Sequence, residues 1–202
     1  MAGGECLRKL TARALVREHK GTLAAAVGSH QYGAGRPGGA ETLVHAVQAV
    51  SGARPDYAWV QLDVANAFPS ISRRAVLEAL EEHAPALLPL AETFLRRASS
   101  FVFQGAGGSG GVSQATLGVE QGDVLGPLLF AVAFRKPVEA LRAAPVAGLV
   151  DEHGYSPEEA EAAVMLGAFL DDVVVGLPAE AVARVPSLAA QAFAPVGCQV
   201  EQ

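Results

Sequence analysis

Phe169-Leu170-Asp171-Asp172, preceded by Ala162-Ala163-Val164-Met165-Leu166 and followed by Val173-Val174-Val175-Gly176, is the stretch on which the fold turns. Both flanks have the length and apolar content of buried strands, which predicts a tight hairpin with the two aspartates at its tip. Adjacent carboxylates there cannot both be buried unpaired, because an isolated charge taken out of water is costly or shifts its pKa until it is neutral. Two arrangements avoid that cost: a solvated turn, where Asp-Asp pairs are common, or a shared divalent cation.

A third carboxylate bears on the choice. Tyr57-Ala58-Trp59-Val60-Gln61-Leu62-Asp63-Val64 alternates apolar and polar residues in a stretch rich in β-formers and runs on into Ala65-Asn66-Ala67-Phe68, so Asp63 ends a strand. If that strand lies beside the hairpin, Asp63, Asp171 and Asp172 converge on one edge and offer hard oxygen ligands suited to Mg²⁺ or Mn²⁺. A helix N-cap is the other role open to Asp63, but Ser70 or Ser72 is better placed to cap a helix from Arg73 to Glu82.

Three stretches together resemble the palm of a reverse transcriptase, most closely the kind carried by non-LTR retrotransposons, with group II intron and retron enzymes as more distant relatives. Leu62-Asp63-Val64-Ala65-Asn66-Ala67-Phe68, followed by Arg73, resembles the first catalytic motif of that family. Gly118-Val119-Glu120-Gln121-Gly122-Asp123-Val124-Leu125-Gly126-Pro127-Leu128-Leu129-Phe130 resembles its Gln-Gly motif, and Phe169-Leu170-Asp171-Asp172 its aspartate-pair motif. Upstream, Gln31-Tyr32-Gly33 with Gly38-Gly39-Ala40-Glu41 is similar to a segment between fingers and palm. The order and spacing agree, and three motifs in order are far more specific than any one.

The resemblance implies an α+β chain, a polymerase palm with a ferredoxin-like antiparallel sheet, packed helices and partial fingers. Residues 1–55 would be partial fingers and their connection, and residues 56–202 a palm core that stops before the primer grip and thumb. Asp63 and Asp171 would hold two catalytic metal ions, Mg²⁺ or Mn²⁺, with Asp172 beside them. Phe68 would stand beneath the incoming sugar, where an aromatic ring collides with a ribonucleotide 2′-hydroxyl and favours a deoxynucleotide; an ordinary core aromatic is the alternative. Gln121 and Gly122 would touch the incoming nucleotide, although a plain turn and helix cap fit the same residues. The implied partners are an RNA or DNA template with its primer and deoxynucleoside triphosphates, the implied location intracellular and, in a eukaryote, nuclear. Val124 and Phe169 depart from the proline and tyrosine that many relatives carry; neither change touches a metal ligand.

Outside the motifs, periodicity predicts helices over 5–27, 40–50, 72–82, 85–97, 123–142 and 179–194, and strands over 101–104 and 112–119 joined by a flexible glycine-rich tip at 105–111. Asp123 is expected to cap the long helix, with Pro127 in its first turn. Asp151 to Glu161 is expected to be an acidic, mobile insertion.

Composition limits what the chain does. Its 15 Lys and Arg against 21 Asp and Glu give a net charge of −6, the wrong sign for a tight grip on a phosphate backbone, although Arg8-Lys9 with Arg13, Arg17 and Lys20, Arg73-Arg74 and Arg96-Arg97 are local basic groups. Cys6 and Cys198 stand far apart, with neither zinc nor disulfide spacing. Histidines do not cluster, and His45 is expected to be a packed or half-exposed residue and not a ligand. The glycines at 105 to 111 lack the lysine of a phosphate-binding loop, and there is neither a membrane-length apolar run nor a signal-peptide pattern. As a fragment the chain alone is expected to have little or no polymerase activity; the competing expectations are a catalytically silent retroelement remnant and, further off, a metal-dependent nuclease.

Overall fold

The computed structural model describes residues 6–104, 110–120 and 122–201. Along the chain run α1 (Cys6–Glu18), α2 (Lys20–Ala26), α3 (Gly39–Ala53), β1 (Tyr57–Leu62), α4 (Ala67–Ser70), α5 (Arg73–His83) and α6 (Leu88–Leu95). These are followed by β2 (Ser99–Gln104), β3 (Gly110–Ala115), α7 (Gly126–His153), α8 (Pro157–Ala163), β4 (Met165–Phe169), β5 (Asp172–Pro178) and α9 (Val185–Phe193). The architecture is mixed helix and antiparallel sheet.

Strand alternation builds the central sheet, whose order is β1-β5-β4. Along β5, Val173, Val175 and Leu177 are fully buried, whereas Asp172 between them and the tip is exposed, the period of a strand with one face on the core. β1 pairs antiparallel with β5 from Tyr57↔Pro178 to Leu62↔Val173, and β4 pairs with β5 from Met165↔Gly176 to Phe169↔Asp172. After α9 the chain returns to the free edge of β1 through a bridge between Val64 and Val200. Ala65 N–H donates to the Gln199 carbonyl at 2.8 Å, and Glu201 N–H to that of Asp63 at 2.9 Å. With that segment counted, the order is the ferredoxin-like one that the resemblance implies.

One continuous core joins the inner face of the sheet to the helices. Its spine is an aromatic ladder: Phe68 stacks on Phe130 at 4.9 Å between centroids, Phe130 on Phe134 at 5.0 Å, and Phe134 tilts against Phe193 at 4.7 Å. Such contacts contribute about 0.5–1.5 kcal/mol each beyond the area they bury.

Several elements differ from their sequence expectation for identifiable reasons. The first helix divides at His19, beside the weak helix former Gly21. α7 begins at Gly126, not Asp123, and runs past Arg142 to His153 despite Pro137 and Pro145. Those prolines share a fully packed stripe with Leu141 and Leu149, and burial along that four-residue spacing outweighs the lost backbone hydrogen bonds. The expected acidic insertion is ordered structure: it completes α7, turns at Gly154 (φ 72°), and starts α8 with a capping box between Ser156 and Glu159. Ala162 and Ala163 belong to α8 and the first strand of the aspartate hairpin begins at Met165, in keeping with alanine's helix preference. The 179–194 helix opens as a 3₁₀ turn and becomes α-helical at Val185. Of the expected glycine tip, residues 105–109 lie outside the described residues, as do residues 1–5; the flanking strands β2 and β3 pair as expected, although β3 ends at Ala115 and not at Val119, and they leave Val102, Phe103 and Val112 exposed.

Gly118 joins two of the sequence motifs. Its N–H donates to the Ile71 carbonyl and Val119 N–H to that of Phe68, both at 2.8 Å. A Cβ at Gly118 would lie 2.4 Å from the Pro69 carbonyl oxygen, and its φ is 76°. Gly118→Ala is therefore expected to lower unfolding free energy by more than about 2 kcal/mol in urea denaturation; an unchanged midpoint would mean the two motifs are not docked this way.

Candidate active site

The β4–β5 hairpin turns in two residues, Leu170 and Asp171, between the last pair Phe169↔Asp172. Leu170 has φ 57°, a left-handed conformation unfavourable for a branched side chain. Asp63 follows β1 directly, so the register that sets Leu62 opposite Val173 brings Asp63 level with Asp172 when carried one step further. Asn66, which precedes α4, is left-handed as well at φ 46°. Among the described residues, the two non-glycine positions with positive φ thus adjoin the two carboxylate segments, as strained backbone often does at functional sites.

Electrostatics reports the same proximity. Burial raises the Asp171 pKa above the ordinary aspartate value, and the negative charges of Asp172 and Asp63 raise it further. Asp172 and Asp63 are exposed, and Asp171 is half-buried. Behind them, the buried Cys198 thiol is pushed up to about 12, first by desolvation and then by the charge of Asp171. An all-carboxylate donor set under mutual repulsion fits a hard divalent cation, which would relieve the strain. Among the described residues, however, no three His, Cys, Asp or Glu side chains are already drawn into a ligand cluster.

Phe68, in α4, is half-buried: one face stacks on Phe130, so it is a core aromatic whose remaining surface faces outward. Gly122 is exposed at φ 90°, and a Cβ there would meet nothing within 4 Å. Gln121 lies outside the described residues. Asp123 does not cap α7 as expected. The helix starts later, with Pro127 in its first turn, and Asp123 instead accepts a hydrogen bond from Arg8 and a long one, 3.4 Å, from Leu125 N–H. Phe169 lines a shallow cleft of about 260 Å³ with Leu43, Val44, Gln61, Asp172 and Val174. Ser72 caps α5, accepting from Ala75 N–H at 3.3 Å, which leaves Asp63 free of that duty.

Two arginines near the Gln-Gly segment make contacts that the sequence does not specify. Arg73, 7% exposed, donates to the Gly118 carbonyl at 3.0 Å, to that of Arg97 at 2.7 Å and to Ser99 Oγ at 3.0 Å; desolvation lowers its pKa. Arg8 pairs with Glu120 at 3.2 Å and with Asp123, and lies 4.2 Å over the Phe94 ring. Of the basic groups seen in the sequence, four members are thus engaged, since Arg74 pairs with Glu78 and Arg96 with Glu92 as well. The signal for Arg73 was its place after the first motif; nothing local marks Arg8. His45, expected to be packed or half-exposed, is exposed. Among the described residues no helix is long and apolar enough to cross a membrane.

Comparison with known proteins gives a consistent result. The chain is 31% identical over 159 residues to the retrotransposable element SLACS 132 kDa protein of Trypanosoma brucei gambiense, a match covering 76% of this chain and 12% of that protein. Among solved structures it resembles apo telomerase from Candida tropicalis truncated from its C-terminal domain, with a TM-score of 0.60 at 11% identity over 96% of this chain and 39% of that one. It also resembles telomerase from Candida albicans in complex with a fragment of telomeric RNA, with a TM-score of 0.57 at 9% identity over 96% of this chain and 34% of that one. These likenesses establish a shared fold. No protein-family model matches the chain.

The raised Asp171 pKa has a consequence for stability. The folded state holds the proton more tightly than the unfolded chain, so stability falls as pH rises from the ordinary aspartate value through the raised one, and stays lower above it. Asp171→Asn is therefore expected to raise the thermal midpoint at pH 7, with the gain disappearing in acid below the ordinary aspartate range. A gain that persists in acid would show that the ionised carboxylate is not its source.

Proposed function

We propose that this chain, homologous to a retrotransposable-element protein and alike in fold to telomerase, carries the palm of an RNA-directed DNA polymerase. In this reading residues 1–55 are partial fingers with their connection, and residues 56–202 the palm core. The observation that carries it is the register of β1 on β5, which gathers Asp63 with Asp171 and Asp172 at one end of the sheet. The relative spans far more chain than this one does, since the match covers 12% of it.

The reaction would join a primer 3′-hydroxyl to the α-phosphate of an incoming deoxynucleoside triphosphate, with pyrophosphate leaving and the hydroxyl proton passing to solvent. Mg²⁺ or Mn²⁺ ions held by Asp63 and Asp171, with Asp172 alongside, would activate the hydroxyl and neutralise charge on the phosphates. Asp63 and Asp172 are exposed and able to meet a ligand without further opening. Phe68 would present its outward surface to the sugar and reject a 2′-hydroxyl, held rigid by Phe130 beneath it. Gly122, with open space where a Cβ would be, leaves its backbone accessible to the nucleotide, and Gln121 would supply an amide beside it.

A second reading, a silent remnant that keeps the fold, is favoured by the net charge of −6 and by the pairing of Arg8, Arg74 and Arg96 with carboxylates, which lessens their pull on a phosphate backbone. Primer extension on RNA and DNA templates with Mg²⁺ or Mn²⁺ separates the two, with an Asp171→Ala, Asp172→Ala variant as control. The enzyme reading expects metal-dependent extension that falls at least about a hundredfold in the variant. Equal background from both proteins would leave the remnant.

A further inference from the structure

Leu170 is the first residue of a two-residue hairpin tip and is left-handed, while Asp171 after it is not. Turns of that pattern ordinarily take glycine at the first position. A leucine there persists only if its surroundings impose the conformation.

The restraint comes from a segment more than a hundred residues upstream. Residues 30–32 lie along the free edge of β4: Ala168 N–H donates to the His30 carbonyl at 2.8 Å, and Tyr32 N–H to the Ala168 carbonyl at 2.7 Å, around a parallel bridge between Gln31 and Ala168. The Gln31 side chain, only 3% exposed, thereby reaches the tip. Its Oε1 accepts from Leu170 N–H at 2.8 Å and from Gly33 N–H at 2.9 Å, and its Nε2 donates to the Leu170 carbonyl at 3.3 Å. Two backbone N–H groups converge on one atom, which fixes that atom as the amide oxygen. One buried amide thus holds both backbone polar groups of Leu170. Gly33 completes the fit, because a Cβ there would lie 2.6 Å from the Leu170 nitrogen and 2.8 Å from its Cγ.

We propose that Gln31 is a positioning residue for the aspartate pair: it locks Leu170 in the left-handed turn and so sets the direction in which Asp171 and Asp172 leave the tip. The link to metal binding rests on the polymerase reading; the clamp itself rests on geometry alone. Leu170 is half-buried against the core, and a glycine would adopt this turn without help. What the clamp secures is the direction of the residues that follow.

The test compares the native chain with Gln31→Leu, Leu170→Gly and the double variant, using three measurements on the intact protein. These are amide exchange at Leu170, the carboxyl carbon resonances of Asp171 and Asp172 without metal, and affinity for Mn²⁺. Gln31→Leu is expected to speed Leu170 exchange and weaken Mn²⁺ binding by about tenfold or more, and to shift both carboxyl resonances. Adding Leu170→Gly, which permits the same turn unaided, is expected to restore the resonances and most of the Mn²⁺ affinity, while leaving the backbone amide at position 170 unprotected. Carboxyl resonances unmoved by Gln31→Leu, or moved and not restored by the glycine, would overturn the proposal. A merely structural glutamine predicts that second outcome, with every loss following the thermal midpoint. If the native chain binds no Mn²⁺ while the resonances respond as described, the metal reading fails and the clamp stands.

Discussion

The antiparallel register of β1 on β5 is the constraint from which the site follows. Because Leu62 faces Val173, the next residues on the two strands, Asp63 and Asp172, come level at the end of the sheet. A slip of one residue would turn Val173 and Val175 out to solvent and bury the exposed face, so the apolar alternation that builds the core also fixes where the acids meet. Core packing and site geometry are therefore set by one pattern. What that pattern does not supply is relief from the repulsion it creates, which adds to burial in raising the pKa of Asp171.

The remaining motifs are tied to this edge by backbone contacts more than by charge. The segment before Gly122 docks on α4 through Gly118 and Val119 and is held from the other side by the buried fork of Arg73, whose rigid, planar donors suit three separately placed oxygens. Arg8 adds a partly buried pair to Glu120 and Asp123, bringing α1 to the start of α7. Arginines used in this way stiffen the fold at the expense of a positive surface, and together with the net charge of −6 this makes the outside of the chain a poor electrostatic match for nucleic acid.

Much of the site was legible because it depends on short-range pattern. The Tyr57–Leu62 strand, the Phe169–Asp172 hairpin and the Ser72 cap each follow from residues within a few positions of one another. Several elements that departed from expectation depend on tertiary partners. Proline argues locally for an end to α7, yet Pro137 and Pro145 are buried with Leu141 and Leu149, and tertiary burial prevailed. Asp123 looked like a helix cap because its partner Arg8 is 115 positions away. The acidic run after Asp151 suggested mobility by composition, whereas the Ser156 and Glu159 capping box within it was an unused local signal for a helix. Gln31 was visible as part of a motif, but its bond to Leu170 spans 139 positions and no periodicity reveals it.

If Phe68 meets the incoming sugar as proposed, the aromatic ladder from Phe68 through Phe130 and Phe134 to Phe193 ties sugar selectivity to the integrity of the interior. In a polymerase built this way, drift at position 68 toward a small side chain would not only admit ribonucleotides but also unseat the first rung of the ladder and leave a void over Phe130. A lineage could relax its choice of sugar only after thickening the packing beneath, so the order in which substitutions become tolerable is constrained.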